Sequence, residues 1–383
     1  MTAGTSHPQR VAIVHEWFTS MRGGEKCVEA LCEVFPDADV YALLHVPGSV
    51  SPVIERALVR TTFVQHLPGA STHYRRYLPL FPLAVRQFDL RGYDLVITSN
   101  HCVAKGARVP PEALHICYCY TPMRYIWSQY DEYFGKGRAG LLTRLAMRAC
   151  VGPLRRWDLS TASHPRHFVA ISENIRRRIK EIYGRESDTI YPPVDTSRFT
   201  LSREKGEYYL IVSALVPYKA VDLAVAAFTE TGDRLVIVGE GPDRQRLEKM
   251  AGKNVSFEGW QPDEKLAEYY GGCSGVIFPG EEDFGIVPVE AMAVGKPVLA
   301  YARGGALETV IDTPGKKTGV LFHDQSVSGL LEGLRRLQAT EFDPRELRKH
   351  ALTFDREIFK ARMEEYCARR WQEMKGESPQ AHT

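Results

Sequence analysis

Two carboxylates lie at either end of an otherwise apolar segment, EEDFGIVPVE (281–290). Seven residues separate Glu282 from Glu290, and the stretch between them contains Phe, Gly, Ile, Val and Pro. A carboxylate beside an apolar run is costly to bury unless a polar group meets it. The spacing therefore directs attention to the polar partners of these two acids.

Lysine and glycine residues that suit a phosphate ligand occur at two further places. Lys219, in SALVPYKAVDLAVAAF (213–228), is predicted at the start of an amphipathic helix after a strand. A cation beside the unsatisfied N–H groups of a helix start suits a diphosphate, whereas the alternative is an exposed surface lysine. Gly23 and Gly24 precede another predicted helix, where bare backbone N–H groups can approach a ligand or simply form a flexible turn.

Two loops after predicted strands extend this set. VIVGEGPD (236–243) is a strand followed by the G-x-G turn of Gly239 and Gly241. It lacks the third glycine of the dinucleotide fingerprint, and no ribose-binding acid follows at the expected distance, which argues against a dehydrogenase. His101 follows the carboxyl end of another predicted strand, the position at which an α/β protein places its active site.

Metal and nucleophile chemistry find little support in the sequence. Asp37-Ala38-Asp39 has the form of a metal-binding DxD, but it lies in FPDADVYALL, where acids and proline are typical of a turn. No HExxH or other metal-spaced cluster occurs, so we expect no metal site. A nucleophilic serine or cysteine is equally unsupported, because there is neither a GxSxG elbow nor a placed Cys/His pair.

Short apolar runs alternate with longer amphipathic segments along the whole chain. Continuous apolar strands separated by helices predict parallel sheets buried on both faces, hence an α/β architecture. The predicted strands are 11–17, 40–46, 94–100, 115–120 and 167–172 in a first series, and 208–215, 234–240, 255–260, 275–280, 297–302 and 319–323 in a second.

A proline pair and a polar stretch, YPPVDTSRFTLSREKGE (191–207), separate the two series and predict a linker. We therefore expect two Rossmann-like domains whose parallel sheets face each other across a cleft. The predicted division is a first domain over 1–197, a second domain over 198–353, a helix over 354–375 that packs back on the first domain, and a disordered polar tail over 376–383.

Composition and charge limit the functional class. The 383 residues carry a formal charge of only +2, which argues against a dedicated nucleic-acid binder. Residues 1–195 hold 24 Lys and Arg against 18 Asp and Glu, so the first half is the basic one. The eight cysteines form no CxxC pair and are expected to be reduced. No apolar run approaches the ~20 residues of a spanning helix, so we expect a cytoplasmic protein with at most peripheral membrane contact.

Taken together, these motifs resemble the retaining glycosyltransferases of family 4, which have the GT-B fold. EDFGIVPVEAMAVGKPVLAYARGGALETV (282–310) is similar to the family's donor-site signature, with its glutamates spaced E-x7-E. The segments at 213–228, 236–243, 255–260 and 15–26 fit in the same order. CYCYTPMRYIWSQYDEYF (117–134) and IYPPVDTSRF (190–199) point to the clade of O-antigen and exopolysaccharide mannosyltransferases.

The resemblance implies that the domain over 1–197 binds the acceptor, that the domain over 198–353 binds the nucleotide-sugar donor, and that named residues have particular roles. It assigns the donor-sugar hydroxyls to Glu282, the ribose to Glu290 and the diphosphate to Lys219. It places His101 and Arg124 of the first domain near the reacting centre. The further donor-binding residues that it implies are Gly23 and Gly24 at the diphosphate, Gly239, Gly241 and Trp260 around the base, and Phe284, Gly285, Ile286 and Val287 at the start of a helix whose N–H groups meet sugar and phosphate.

The implied activity is transfer of a hexose, with GDP-mannose the favoured donor, to a glycan or polyprenyl-diphosphate-linked acceptor. The implied route is front-face, with no protein nucleophile and no obligatory metal or cofactor. A UDP-sugar donor in the same fold stays open, because nothing in the sequence fixes the base. A catalytically weak sugar-nucleotide-binding protein is the alternative from another class.

The sequence departs from the family in two places. Ser213-Ala214-Leu215 stands where the family has G-R-L, so the usual phosphate-binding arginine is absent, and Arg303 or Arg22 is a candidate replacement. Tyr120 stands where the clade has His.

Arginines interleave with apolar residues in 73–88 and 135–157. One interpretation is that these segments form a face of the protein that binds the anionic inner surface of the plasma membrane. The other is that they are amphipathic helices that pack on their own sheet and leave the arginines in solvent.

Overall fold

The computed structural model describes residues 7–127, 130, 135, 140–202 and 206–376. The chain divides into two compact units. Unit 1 comprises the residues up to Pro193 and those from Glu357 onward, and unit 2 comprises Val194–Arg356. The division falls a few residues before the predicted 197/198 boundary. The predicted tail (376–383) lies outside the described residues apart from Gly376.

Unit 1 is built on a parallel sheet with the strand order β3-β2-β1-β4-β5-β6-β7. Every residue of β1, β4 and β5 is buried, which explains why these strands are continuous apolar runs in the sequence. The strands are β1 Val11–Phe18, β2 Asp39–His45, β3 Leu58–Arg60, β4 Leu95–Asn100, β5 Leu114–Cys119, β6 His167–Ala170 and β7 Asp188–Thr189.

Helices cover the sheet of unit 1 and connect its strands. They are Gly23–Val34, Pro52–Ala57, Ala70–His73, Phe81–Ala84, Leu141–Ser160, Glu173–Tyr183 and, from the far end of the chain, Arg356–Lys375. This last helix packs on the sheet of unit 1, with the Phe359 ring 5.5 Å from that of Tyr118. All eight cysteines lie in the described part of the chain, and each is a free thiol, seven of them buried.

Unit 2 repeats the plan with the parallel order β10-β9-β8-β11-β12-β15. A short antiparallel hairpin, β13–β14, precedes its last strand. The strands are β8 Tyr208–Val212, β9 Leu235–Val238, β10 Val255–Gly259, β11 Cys273–Phe278, β12 Val298–Tyr301, β13 Asp312–Thr313, β14 Lys316–Lys317 and β15 Gly319–Phe322. The helices are Val221–Thr231, Arg244–Met250, Asp263–Gly272, Ile286–Val294, Ala306–Thr309, Val327–Gln338 and Pro344–Ala351.

The expected α/β class with two parallel sheets is confirmed. In both units the strand order turns about one point, between β1 and β4 in unit 1 and between β8 and β11 in unit 2. Open α/β sheets bind ligands outside the carboxyl ends of the strands at such switch points. The loops that follow these four strands are therefore the places to look for a site.

Candidate functional site

The switch point of unit 2 brings together two residues that are far apart in sequence. Lys219 follows β8, Glu282 follows β11, and the Lys219 Nζ forms an ion pair with Glu282 Oε1. The lysine side chain is 15% exposed and the glutamate side chain 25% exposed. Two of the predicted donor-site residues thus contact each other directly, in a position that solvent or a small ligand can reach.

Close backbone packing fixes the two loops that carry this pair. Gly280 lies against Lys219 so closely that a Cβ atom on the glycine would be 2.7 Å from the Lys219 Cα. The Glu282 carbonyl accepts a hydrogen bond of 2.8 Å from the N–H of Gly305, in the loop after β12. Neighbouring strands of the sheet therefore hold the ion pair from both sides.

Lys219 lies on a short 3-10 turn, Pro217–Lys219, and not on the helix that the sequence predicts there. The helix begins after Ala220, whose φ of 50° places it in the left-handed region. Among the described residues, Ala220 is the one non-glycine residue with positive φ. Such a conformation costs an L-residue about 1–2 kcal/mol, so the packing around Lys219 must stabilise it.

The helix after β11 begins at Ile286, so the expectation that Phe284 and Gly285 begin it is wrong. The reason is the φ of 91° at Gly285, which is incompatible with a right-handed helical turn. Phe284 is 3% exposed, and its ring lies 5.6 Å from that of Phe354 in the core. Its side chain therefore stabilises the loop, while Ile286 and Val287 provide the first helical N–H groups.

Glu290 lies on the same helix and is 9% exposed. Its Oε2 accepts a hydrogen bond of 2.7 Å from the hydroxyl of the fully buried Tyr270. Burial, with Glu290 beside it, raises the pKa of Tyr270 well above its ordinary value, so this hydroxyl keeps its proton. Tyr270 could not be identified from the sequence, because nothing in DEKLAEYY distinguishes its ring from any other core aromatic.

Gly239 and Gly241 have a packing role that the sequence did not reveal. A Cβ atom would lie 1.9 Å from the Ser213 oxygen at the first position and 2.2 Å from the Leu215 oxygen at the second. The loops after β8 and β9 therefore touch backbone to backbone, and only glycine fits at these positions. Trp260, directly after β10, is 73% exposed.

The switch point of unit 1 gathers the remaining predicted residues. Gly23 and Gly24 open the helix after β1, and His101 follows β4. The His101 ring packs edge-on against Trp17, with 4.7 Å between ring centroids. Burial and the nearby positive charge of Arg124 lower the pKa of His101 well below its ordinary value, so the imidazole is neutral at neutral pH.

A buried chain of hydrogen-bonded polar side chains connects β1, β4 and the residue after β5 at this switch point. His15 Nδ1 lies 2.9 Å from the Ser99 hydroxyl, which in turn lies 2.9 Å from the hydroxyl of Tyr120. That tyrosine donates a hydrogen bond of 3.1 Å to the Gly24 carbonyl. Tyr120, the departure noted in the sequence, thus anchors the glycine turn.

Glu16 is a further residue that the sequence analysis missed. This fully buried glutamate of β1 accepts hydrogen bonds from four consecutive backbone N–H groups, those of residues 101–104. Burial raises the pKa of Glu16, while the N–H groups of Cys102, Val103 and Ala104 and the nearby His15 act in the opposite direction. An acid inside the apolar run VAIVHEWF was the available signal.

The structure also places the aspartate of the DxD segment, Ala214 and the two candidate replacement arginines. Asp39 begins β2 and accepts a hydrogen bond from the Tyr93 hydroxyl. Ala214 and Arg303 are exposed, and Arg22 donates from Nε to the Ser20 hydroxyl at 3.1 Å. The residues that the structure describes contain no cluster of three or more His, Cys, Asp or Glu suited to a metal ion. Within the same residues, no helix is both long and apolar enough to cross a bilayer.

Comparison with known proteins bears on the unit that carries the Lys219–Glu282 pair. Residues 195–353 match the family model of the glycosyl transferases group 1. A GDP-mannose-dependent alpha-(1-6)-phosphatidylinositol monomannoside mannosyltransferase of Mycolicibacterium smegmatis is 31% identical over 207 residues, which cover 46% of this chain and 53% of that protein. The chain spans about half the length of the curated relatives it matches.

Solved structures extend the likeness to both units. Sucrose-phosphate synthase from Thermosynechococcus elongatus has a TM-score of 0.69 at 18% identity, covering 94% of this chain and 98% of that one. HepE of Anabaena, in complex with UDP and glucose, has a TM-score of 0.66 at 18% identity, covering 93% and 98%. The two Rossmann-like α/β units therefore have the fold of GT-B glycosyltransferases.

Proposed function

We propose that this chain is a retaining hexosyltransferase of family 4 that transfers mannose from GDP-mannose to a glycan or lipid-linked acceptor. The observation that carries the proposal is the Lys219–Glu282 ion pair at the switch point of unit 2. A cation and a carboxylate at this point suit a ligand that combines phosphate with hydroxyl groups. The match of residues 195–353 to a glycosyltransferase family supports a nucleotide-sugar as that ligand.

In this proposal the ammonium of Lys219 binds the diphosphate, and Glu282 accepts hydrogen bonds from the sugar hydroxyls. The N–H groups at the start of helix Ile286–Val294 add partial positive charge beside the phosphate. Glu290 binds the ribose, oriented by its hydrogen bond from Tyr270.

The reaction that these residues support is a front-face displacement. The bond between the sugar C1 and the diphosphate oxygen breaks, and the acceptor oxygen bonds to C1 on the same face. The acceptor proton passes to an oxygen of the departing diphosphate, so no protein nucleophile is required. Lys219 and the helix N–H groups stabilise the negative charge that develops on the diphosphate, and each such preorganised donor contributes ~3–4 kcal/mol in known oxyanion sites.

The same arrangement requires no divalent metal, because protein charges neutralise the diphosphate. Transfer activity should therefore survive EDTA.

The donor base is the least constrained part of the proposal. GDP-mannose is favoured because two kinds of curated relative are mannosyltransferases and one of them is GDP-mannose-dependent. The bound UDP and UDP-glucose in the similar HepE structures favour a UDP-sugar as the second candidate. A thermal-shift panel of GDP, UDP and ADP separates these donors. A nucleotide at 100 times its Kd adds ~2.7 kcal/mol of stability.

Donor-hydrolysis and transfer assays with the nucleotide that stabilises the protein then identify the sugar. Stabilisation by GDP and turnover of GDP-mannose support the proposal. Stabilisation without any turnover would indicate a sugar-nucleotide-binding protein, and the absence of any shift would refute the donor site.

An anionic membrane surface is the proposed location of the acceptor. Leu80 and Leu83 of unit 1 are 40% and 61% exposed, and Arg75, Arg76 and Arg86 of the same segment are also exposed. Cations beside exposed leucines suit the interface of a bilayer that contains anionic lipid. The protein should float with anionic liposomes at low salt and remain unbound with neutral ones. Equal behaviour with both lipids would contradict this location.

A further inference from the structure

Glu16 forms an unusual concentration of hydrogen bonds. Its Oε1 lies 3.2 Å from the backbone nitrogen of His101, 2.8 Å from that of Cys102, 3.0 Å from that of Val103 and 3.1 Å from that of Ala104. The Val103 nitrogen also lies 3.1 Å from Oε2. The carboxylate is fully buried, and the five contacts span 85 to 88 residues of sequence.

Four consecutive N–H groups that converge on one point form the kind of concavity that normally binds an anion. Here the protein fills that concavity with its own carboxylate. The loop 101–104 leaves β4 at the switch point and continues into the 3-10 turn Ala104–Gly106. Its path therefore depends on a single acceptor, because buried N–H groups need partners.

The loop held in this way carries His101 at its first position. Trp17, the residue after Glu16 in β1, packs edge-on against the His101 ring at 4.7 Å. Two adjacent residues of β1 thus fix His101. The Glu16 carboxylate accepts from the backbone N–H of the histidine, and the Trp17 ring packs against its imidazole. A further hydrogen bond, of 2.9 Å from the Lys105 nitrogen to Asn100 Oδ1, closes the loop at its far end.

We propose that Glu16 is a positioning residue that sets the place of His101 for the transfer reaction. This inference rests on the proposed function and on the expectation, implied by the family resemblance, that His101 lies near the reacting centre. Glu16 has no contact with substrate in this scheme and acts only through the loop 101–104. Its removal should therefore change turnover through His101 and leave the affinity for the donor, a property of unit 2, unaltered.

The test is a double-mutant cycle between Glu16→Gln and His101→Ala, because coupling between two residues appears as non-additivity. Glutamine keeps the shape of the side chain but removes the negative charge that strengthens these hydrogen bonds. Because both oxygens of Glu16 accept from the Val103 nitrogen, the NH₂ group of glutamine also meets an N–H donor at either position. We expect kcat to fall roughly 10- to 100-fold with the donor KM unchanged, since small displacements of a reacting group have effects of this size. In the His101→Ala background, Glu16→Gln should have no further effect on kcat.

Asp94→Asn is the matched control. Asp94 also accepts backbone N–H groups, those of Gln9 at 2.9 Å and Arg10 at 3.0 Å, but it lies before β4, at the opposite end of that strand. It should leave kcat as in the unaltered protein. An equal loss of kcat in Asp94→Asn, or full additivity of Glu16→Gln with His101→Ala, would overturn the inference.

Amide hydrogen exchange tests the positioning without any need for turnover. In Glu16→Gln the amides of residues 101–104 should exchange faster, whereas those of the β5 strand should not change. Unchanged protection of the loop would refute the role of Glu16 even if the protein transfers no sugar. If the unaltered protein binds no nucleotide while the loop still loosens, the proposed function fails and the structural role of Glu16 stands.

Discussion

Replacing Glu282 by glutamine should separate two opposing effects of this carboxylate, which competes with a diphosphate for Lys219 but binds the transferred sugar in the proposed mechanism. Glu282 forms an ion pair with Lys219, so a diphosphate has to compete with this carboxylate for the ammonium. Glu282→Gln removes the competitor and also one negative charge near the phosphates. We therefore expect GDP, which lacks the transferred hexose and so loses no contact with Glu282, to bind more tightly, whereas transfer is strongly reduced.

The size of the effect follows from the charges and the exposure of the pair. Two unit charges about 4 Å apart interact by ~1 kcal/mol in water and by ~4 kcal/mol at the effective dielectric of a protein surface. With side chains 15% and 25% exposed, the pair lies between these limits. Even the lower limit tightens the Kd of GDP about fivefold. Loss of the sugar contacts should reduce kcat at least ~100-fold, as in other preorganised sites.

Isothermal titration with GDP at low and high salt measures the first effect, because about 1 M salt screens charges beyond a few ångströms. Glu281→Gln is the matched control, since it removes the same charge one residue away on an exposed side chain. It should alter neither the Kd nor the turnover. Weaker or unchanged GDP binding in Glu282→Gln would refute the competition, and full transfer activity would refute the assignment of Glu282.

Three further predictions concern stability. Ala220→Gly should raise the free energy of unfolding by ~0.5–1 kcal/mol, because glycine relieves the φ of 50°; urea unfolding checks this, and a loss of stability would contradict the strain. Lys105→Met should cost ~3–5 kcal/mol, since it leaves its fully buried partner Asp158 without a counter-charge; equilibrium unfolding measures the loss, and a value below ~1 kcal/mol would count against it. Burial lowers the pKa of His115 to about 3, so its neutral form stabilises the protein above pH ~6.5, and that stability is lost at up to ~1.4 kcal/mol per pH unit as the pH falls toward 3. Urea unfolding of His115→Gln between pH 7 and 4 should show a smaller dependence of the free energy of unfolding on pH. A dependence equal to that of the unaltered protein would contradict the prediction.

The strands of both sheets were predictable because burial on both faces makes each one a continuous apolar run. All eight residues of β1 are buried, and its predicted and observed bounds differ by a single residue. The strands that the sequence did not reveal are β3, β7 and the hairpin β13–β14. Each has two or three residues and is partly exposed, so it carries no apolar signal.

The candidate site was predictable only at the level of loops. Topology places the residues after β8 and β11 at one edge of a sheet, so the proximity of Lys219 and Glu282 follows from the strand order. The bond between Tyr270 and Glu290 does not follow from it, because both residues lie on helices whose relative rotation is decided by packing. Glu16 was missed for a related reason: its partners are 85 to 88 residues away and are backbone groups, which no residue type reveals.

The division of the chain has a consequence for how the protein is made. Unit 2 is inserted within unit 1, and its two ends meet: the Val194 nitrogen donates to the Phe354 oxygen at 3.1 Å, and the Arg356 nitrogen donates to the Val194 oxygen at 3.0 Å. A ribosome therefore releases all of unit 2 before the final helix, with Phe359, can reach the sheet that it covers. Although vectorial synthesis usually completes the first domain first, here the inserted unit should mature while the unit begun earlier still lacks its last helix.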